Sequence, residues 1–145
     1  MSVESVNKSL SLTWDLRHAP EKVWRALTQP DLLARWLMAN DLRPQVGHTF
    51  TFRQEPTPWW DGIVRCEVLE IESHRRIRYT WRSGSGATEL DTVVTWTLTP
   101  TASGGTRLEL EQSGFLPGNA HAYDGASKGW ERMVGEALVG LLDAS

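Results

Sequence analysis

Apolar and polar residues alternate in several separate stretches of this chain, which is the pattern of β-strands with one buried face. In the first stretch, apolar Leu10, Leu12, Trp14 and Leu16 alternate with polar neighbours. The same period predicts strands at 49–53, 63–72, 76–82, 93–98 and 107–112. Tight turns separate most of these stretches, and short strands joined by tight turns predict an antiparallel meander.

Between the first two strands the period changes to that of a helix. Pro20 and Pro30 each begin a short segment, and proline is tolerated at the first position of a helix. The apolar faces carry Val23, Trp24 and Leu27 in one segment and Leu32, Leu33, Trp36 and Leu37 in the other. Helices below about 12–15 residues are marginal alone, so both must pack against a larger apolar surface, with Trp24 and Trp36 buried.

The segment from about Ala120 to Leu142 predicts one long amphipathic helix. Four glycines interrupt it, namely Gly125, Gly129, Gly135 and Gly140. Each costs about 1 kcal/mol relative to alanine inside a helix. The expected compensation is a close approach of the helix to the sheet at the glycines. The alternative is a helix that moves when a ligand enters.

Four motifs occur in a characteristic order, at 19–36, 76–81 and 105–110, with 113–115 and 129–130 together as the closing one. Together they resemble single-domain relatives of the activator of the 90-kDa heat-shock protein ATPase, within the START and birch-pollen-allergen superfamily (SRPBCC). The resemblance covers roughly residues 8 to 142. It implies an α+β helix-grip fold, in which a curved antiparallel sheet wraps around a long C-terminal helix and two short helices follow strand 1. We expect one domain over 1–145.

In this fold the resemblance implies a cavity between the sheet and the C-terminal helix. Trp81 and Trp130 are expected to face each other across that cavity. The predicted ligand contacts are Phe50, Phe52, Trp60, Tyr79, Trp81, Trp130 and Val134. His48 is a further polar contact, since it shares a strand face with Phe50 and Phe52. Trp59 and Trp60 lie in a proline-rich loop, which is expected to form either a lid or a cap on the barrel end.

Charge and hydropathy exclude several classes of partner. The net charge is −3, and lysines and arginines are scattered, so we expect no nucleic acid partner. No apolar run approaches the roughly 20 residues of a membrane span, and residues 1–8 lack signal-peptide features. The expected location is cytoplasmic. A single cysteine, Cys66, suits a reducing compartment and leaves a free thiol.

Motifs for metal, cofactor or covalent chemistry do not occur in the sequence. The four histidines are isolated, and there is no nucleophile elbow, phosphate-binding loop or dinucleotide fingerprint. We therefore predict no metal and no cofactor. Polar residues that could face the cavity and act as acid or base are His48, Glu67, Asp91 and Gln112. His121 and Asp124 could also share a helix face.

Three functions stay open at this point. The main prediction is binding of a small, largely hydrophobic molecule, without catalysis. The resemblance also allows a polyketide-cyclase-like enzyme, or a co-chaperone that activates a heat-shock ATPase. The co-chaperone is less expected, because the family's eukaryotic activators carry an additional N-terminal domain and only about seven residues precede the first strand here. A homodimer is left open.

Overall fold

A seven-stranded antiparallel sheet forms the body of the protein. The computed structural model describes residues 8–58, 60–84 and 89–144. Along the sheet the strands follow the order β1-β7-β6-β5-β4-β3-β2. Their bounds are β1 Lys8–Leu16, β2 Ala39–Asn40, β3 Thr49–Arg53, β4 Ile63–Glu72, β5 Arg76–Ser83, β6 Leu90–Pro100 and β7 Thr106–Phe115. The predicted meander is confirmed, with β1 added at the far edge beside β7.

The register of the sheet collects the apolar side chains on one face. Tyr79 is paired with Val94, which is paired in turn with Gln112. All three side chains are buried, because strand neighbours in register point to the same face of a sheet. Gln112 is thus a polar residue at an interior position. The predicted hairpin loop at 83–86 lies partly outside the described residues.

The two short helices pack onto the sheet as predicted. α1 spans Pro20–Thr28 and α2 spans Pro30–Trp36, each with proline at its start. Trp24 and Trp36 are buried. The Nε1 of Trp36 donates a 2.8 Å hydrogen bond to the carbonyl of Ala26, and its ring meets that of Trp96 edge-on at 5.9 Å. The tertiary contacts supply the stability that helices of this length lack alone.

The C-terminal helix crosses the inner face of the sheet. A 3₁₀ turn at Pro117–Asn119 leads into α3, Ala120–Arg132, then a π-helical stretch, Met133–Leu138, and α4, Val139–Ala144. The buried positions along it are Trp130, Val134, Leu138 and Leu142, spaced four apart. A π turn holds more residues than an α turn, so the mixture keeps positions spaced by four on one face.

The glycines of this helix do not serve close packing, so that expectation is wrong. A Cβ atom built on Gly125, Gly135 or Gly140 meets no neighbouring atom within 4 Å, outside the helix's own backbone. At Gly129 the nearest such atom is the terminal methyl of Met133, at 3.7 Å. These glycines weaken the helix without a packing gain at their own positions.

The C-terminal end of the helix is fastened to the start of α1. The Nζ of Lys22 donates a 2.7 Å hydrogen bond to the carbonyl of Leu142. The Nε2 of His18 lies 2.7 Å from Oδ1 of Asp143, and this contact lowers the pKa of the Asp143 carboxyl. One end of the fold is therefore closed.

Among the helices described here, none has the length and apolar character to cross a membrane.

Candidate functional site

Six aromatic side chains form a continuous cluster beneath the C-terminal helix, the aromatic cluster, consisting of Phe50, Phe52, Tyr79, Trp81, Trp96 and Trp130. The ring centroids of Phe52 and Trp81 are 5.3 Å apart. Trp81 and Trp130 are also separated by 5.3 Å, and Trp130 and Trp96 by 5.4 Å. These spacings are ordinary for edge-on and tilted aromatic contacts, so the rings pack directly on one another.

Hydrogen bonds tie the polar atoms of the aromatic cluster to the sheet. The Nε1 of Trp96 donates to the hydroxyl of Tyr79 at 2.9 Å, and that of Trp130 donates to Oε1 of Gln112 at 2.8 Å. Burial raises the pKa of Tyr79, only partly countered by the Trp96 hydrogen bond, so the phenol stays protonated. The cluster is rigid and internally satisfied, as buried polar networks must be.

An open cleft begins where the aromatic cluster ends, at the end of the fold away from α1 and α2. Its volume is about 500 Å³, and it is open to solvent. The lining residues are Trp60, Val64, Trp81, Ser83, Gly84, Ala122 and Gly125. None of these described lining residues is charged, and most of their contact surface is apolar. We refer to this space as the cleft.

The loop between β3 and β4 holds Trp60 at the rim of the cleft. The backbone of Trp60 pairs with that of Thr57 in an isolated antiparallel bridge, and its Nε1 donates a 3.2 Å hydrogen bond to the carbonyl of Ile63. Gly62 closes the loop at φ +78°, and a Cβ atom there would collide with the carbonyl oxygen of Gln54. Trp60 is half-buried at the cleft edge, and Trp59 lies outside the described residues.

The structure divides the predicted ligand contacts into two groups. Trp60 and Trp81 line the cleft. Behind them, fully buried, lie Phe50, Phe52, Tyr79, Trp130 and Val134. Trp81 and Trp130 do face each other as predicted, but their rings are in contact, so no open space separates them. Ligand contact by any of these residues stays a prediction.

Five cleft residues were not predicted from the sequence, namely Val64, Ser83, Gly84, Ala122 and Gly125. Ser83 could have been found, because it lies two residues after Trp81 and therefore on the same face of β5. Ala122 and Gly125 are three apart on one side of α3. Their small size gave no apolar signal, although small size is what leaves the cleft open.

Of the four polar candidates for the interior, only Gln112 lies there. Glu67 and Asp91 are exposed on the outer face, where Asp91 pairs with Arg82 at 3.0 Å, so an interior position for these carboxylates is wrong. His48 is half-buried, its ring is parallel to that of Phe50, and its Nε2 lies 3.0 Å from the carbonyl oxygen of Asp41. His48 does not line the cleft.

The outer face of the sheet carries a second groove of about 410 Å³, which has a different character. Its lining includes Arg65 and Arg82, which lie opposite each other on β4 and β5. Asp61 lies 3.5 Å from Arg65, and Asp91 offsets the charge of Arg82. This groove has the mixed, paired charges of a solvated sheet face.

Cys66 and the acidic residues offer no reactive or metal site in the described part of the chain. Cys66 is 5% exposed, and burial raises the pKa of its thiol, which keeps the sulfur protonated and unreactive. No three histidine, cysteine, aspartate or glutamate side chains among the described residues are grouped closely enough to bind a metal ion.

Comparison with known proteins identifies a family and several solved structures that are similar to this chain. The family model for Activator of Hsp90 ATPase homolog 1-like protein matches residues 17–143. The chain belongs to this family. Protein MLL2253 from Mesorhizobium loti is 44% identical, with 95% of this chain and 98% of that chain covered and a TM-score of 0.87. Comparison with curated proteins gave no match.

Two further solved structures are similar to this chain. DynU16, a protein of the dynemicin biosynthetic locus, is 25% identical with a TM-score of 0.76, covering 93% of this chain and 47% of that chain. CalU16 from Micromonospora echinospora is 23% identical with a TM-score of 0.75, covering 94% of this chain and 76% of that chain. The similarity to CalU16 shows only that the two proteins share the helix-grip fold.

Proposed function

We propose that this protein binds a small, uncharged and largely apolar molecule in the cleft. The observation that carries the proposal is the composition of the cleft: about 500 Å³, two indole rings, one valine, and no charged group among its described lining residues. Small-molecule sites are typically concave, mostly apolar and of this size. Exposed tryptophan surface at Trp60 costs free energy in water, which a bound apolar ligand would recover.

The aromatic cluster supports binding because it gives the cleft a preformed floor. Trp81 belongs to both, so its ring is held by Phe52 on one side and Trp130 on the other. A rigid floor reduces the conformational entropy lost on binding. The presence of DynU16 in a biosynthetic locus is consistent with a role of such domains in small-molecule handling.

Binding is favoured over acid–base catalysis by the chemistry of the interior. Gln112 carries a neutral amide, which neither releases nor accepts a proton near neutral pH. The carboxylates of Glu67 and Asp91 face the other side of the sheet.

We place the protein in the cytoplasm, where the buried, protonated thiol of Cys66 needs no disulfide partner.

The test is a fluorescence titration with N-phenyl-1-naphthylamine, a neutral apolar probe that brightens in apolar sites. We expect saturable binding to the wild-type protein. Trp60→Ala should weaken the affinity by about fivefold or more, since a large aromatic wall is lost. Trp14→Ala is the matched control, because Trp14 is also a half-buried tryptophan but does not line the cleft.

Two results would contradict the proposal. One is the absence of saturable probe binding to a wild-type protein shown to be folded by circular dichroism. The other is an equal loss of affinity in the Trp60 and Trp14 variants, which would place the probe elsewhere or reflect general unfolding.

A further inference from the structure

The two edges of the sheet differ in how well they are protected against a further strand. At one edge, β2 is only two residues long, and the carboxylate of Asp41 next to it accepts a 2.8 Å hydrogen bond from the N–H of Thr51. At the other edge, β1 has nine residues and contains no proline. A long edge strand without protective features offers its unpaired backbone groups to another strand. The β1 edge is therefore where the sheet can be extended.

The register of the sheet determines which backbone groups of β1 face outward. The N–H of Leu98 donates to the carbonyl of Arg75, so the even-numbered residues of β6 bond to β5 and the odd-numbered ones to β7. Carried through the pairs of β6 with β7 and of β7 with β1, this alternation makes the even-numbered residues of β1 bond to β7. The N–H and C=O groups of Ser11, Thr13 and Asp15 therefore face away from the sheet, and no strand of the described chain lies beside them.

Tyr123 of α3 closes one end of this edge. Its hydroxyl donates a 3.5 Å hydrogen bond to the carbonyl of Ser9, and the Nζ of Lys8 lies 5.3 Å from the centre of its ring. The edge is thus occupied at Lys8 and Ser9 and open along 10–16. The middle residue of this open stretch is Thr13.

From this geometry we propose that a second copy of this protein binds along β1, antiparallel and symmetric about Thr13. Pairing about this centre uses the whole open stretch of both copies and joins their two sheets into one. Ser11 and Asp15 of each copy exchange backbone hydrogen bonds with the partner's Asp15 and Ser11, and the two Thr13 residues bond to each other, about six bonds in all. The same surface serves both copies, as in most dimers of identical chains. Because the interface is small, the expected dissociation constant is micromolar.

The side chains of β1 are complementary to one another in this register. On the inner face, Leu12 and Trp14 are half-buried in the single chain, and each lies opposite the other residue of the second copy. They form non-hydrogen-bonded pairs, in which side chains approach most closely. On the outer face, Ser11 lies opposite Asp15 and Thr13 opposite itself. Asp15 is the only charged residue of 10–16, so no like charges lie opposite each other. A second copy supplies this match by symmetry.

The first experiment places the same charge at two neighbouring positions of the outer face. Thr13→Lys brings two ammonium groups together on the symmetry axis and should weaken dimerisation by about fivefold or more. Ser11→Lys is the matched control, since it places each lysine opposite the partner's Asp15 and should strengthen dimerisation by about threefold or more. Within the chain each lysine lies beside a glutamate of β7, Glu109 or Glu111, so the effects on the single subunit are alike. Sedimentation equilibrium measures the dissociation constants, and circular dichroism verifies folding.

The second experiment locates the interface by backbone amide hydrogen exchange, read residue by residue in NMR spectra of the wild-type protein. The amides of Thr13 and Asp15 should exchange slowly at protein concentrations where the dimer predominates and rapidly in dilute solution, because only the dimer pairs them. The amide of Trp14 bonds to β7 within the chain and is the internal control. It should be protected at both concentrations.

Four results would overturn the inference. The first is a wild-type protein that stays monomeric at every concentration reached. The second is a dimer in which Thr13 and Asp15 exchange as fast as in the monomer, which places the contact elsewhere. The third is an equal effect of Thr13→Lys and Ser11→Lys on dimerisation. The fourth is protection of Thr13 that persists in dilute solution, which means that the same chain covers β1. No cleft-lining residue lies on β1, so probe binding in the cleft is tested independently.

Discussion

The indole Nε1 of Trp130 donates a 2.8 Å hydrogen bond to Oε1 of Gln112, and both side chains are buried between the C-terminal helix and the sheet. An indole N–H can only donate, so the amide oxygen faces Trp130 and the amide nitrogen donates to Oγ1 of Thr92 at 2.9 Å. Thr92 in turn donates to the carbonyl of Trp81 at 3.0 Å. A single polar chain therefore joins the helix to the strand that forms the cleft floor.

This series of hydrogen bonds predicts that removing the Gln112 amide lowers the free energy of unfolding. Gln112→Leu keeps the approximate volume but leaves the Trp130 N–H buried without an acceptor, which costs about 1–3 kcal/mol. Urea unfolding followed by circular dichroism measures the change. In a double-mutant cycle with Trp130→Phe, the second substitution should cost less in the Gln112→Leu background. Additive costs in the two backgrounds would show that the hydrogen bond contributes nothing specific.

The glycines of the C-terminal helix predict substitutions that stabilise the protein. Gly140→Ala should raise the free energy of unfolding by about 0.5–1 kcal/mol, because alanine restricts the unfolded chain and its Cβ meets no neighbour. Gly62→Ala should act in the opposite direction, since Gly62 has φ +78° and its Cβ would collide with the carbonyl of Gln54. Thermal unfolding of both variants tests the pair. Equal signs for the two changes would contradict this assignment of the glycines.

Burial of Cys66 predicts low thiol reactivity in the folded protein. Because desolvation raises the pKa of Cys66, the reactive thiolate is scarce at pH 8. Alkylation by iodoacetamide, followed by mass spectrometry, should be at least about a hundredfold slower in the native protein than in urea. A native rate close to the unfolded one would mean that the sheet opens readily at β4.

The lowered pKa of Asp143 predicts that acid weakens the attachment of the C-terminal helix end to His18. The His18 contact is its main cause, so the stabilisation from this group is fully present above the ordinary aspartate pKa of about 3.9. It is lost as pH falls through the lowered value in the folded protein. Hydrogen exchange at 139–144, corrected for intrinsic rates, should show this acid loss of protection.

The Asp143→Asn variant should lack that acid-dependent step and should exchange faster than the wild type at pH 6. Asp124→Asn, an exposed aspartate on α3, is the control and should leave exchange at 139–144 unchanged. If the wild type and Asp143→Asn exchange at the same rate both at pH 6 and under the acid condition, the contact with His18 does not hold the helix end.

Much of the architecture follows from local sequence patterns. Alternation in β1 and β3–β7 and the helical spacing after Pro20 and Pro30 predicted the elements within a few residues, because side-chain direction along a strand or helix is set by its period. The same patterns predicted the burial of Trp24 and Trp36. The family resemblance predicted the arrangement of these elements in space, and the match over residues 17–143 confirms the family.

The polar candidates show both what such patterns contain and where they stop. Glu67 alternates with the buried Cys66 and Val68 on β4. Asp91 likewise lies between the buried Leu90 and Thr92 on β6. Alternation alone therefore places both carboxylates on the outer face. Pairing partners such as Arg82 and Asp91 are set by register between strands, which a single strand's sequence does not contain.

The open space in the protein was decided by tertiary structure alone. The family resemblance implied that Trp81 and Trp130 face each other across a cavity, and the cavity between them is the part that is wrong. A contact at 5.3 Å fills the interior there, and the small residues Ala122 and Gly125 leave the cleft at the open end instead. Periodicity determines which way a side chain points. The distance between two elements remote in sequence depends on the summed volumes of all side chains packed between them, and only the folded structure contains that sum.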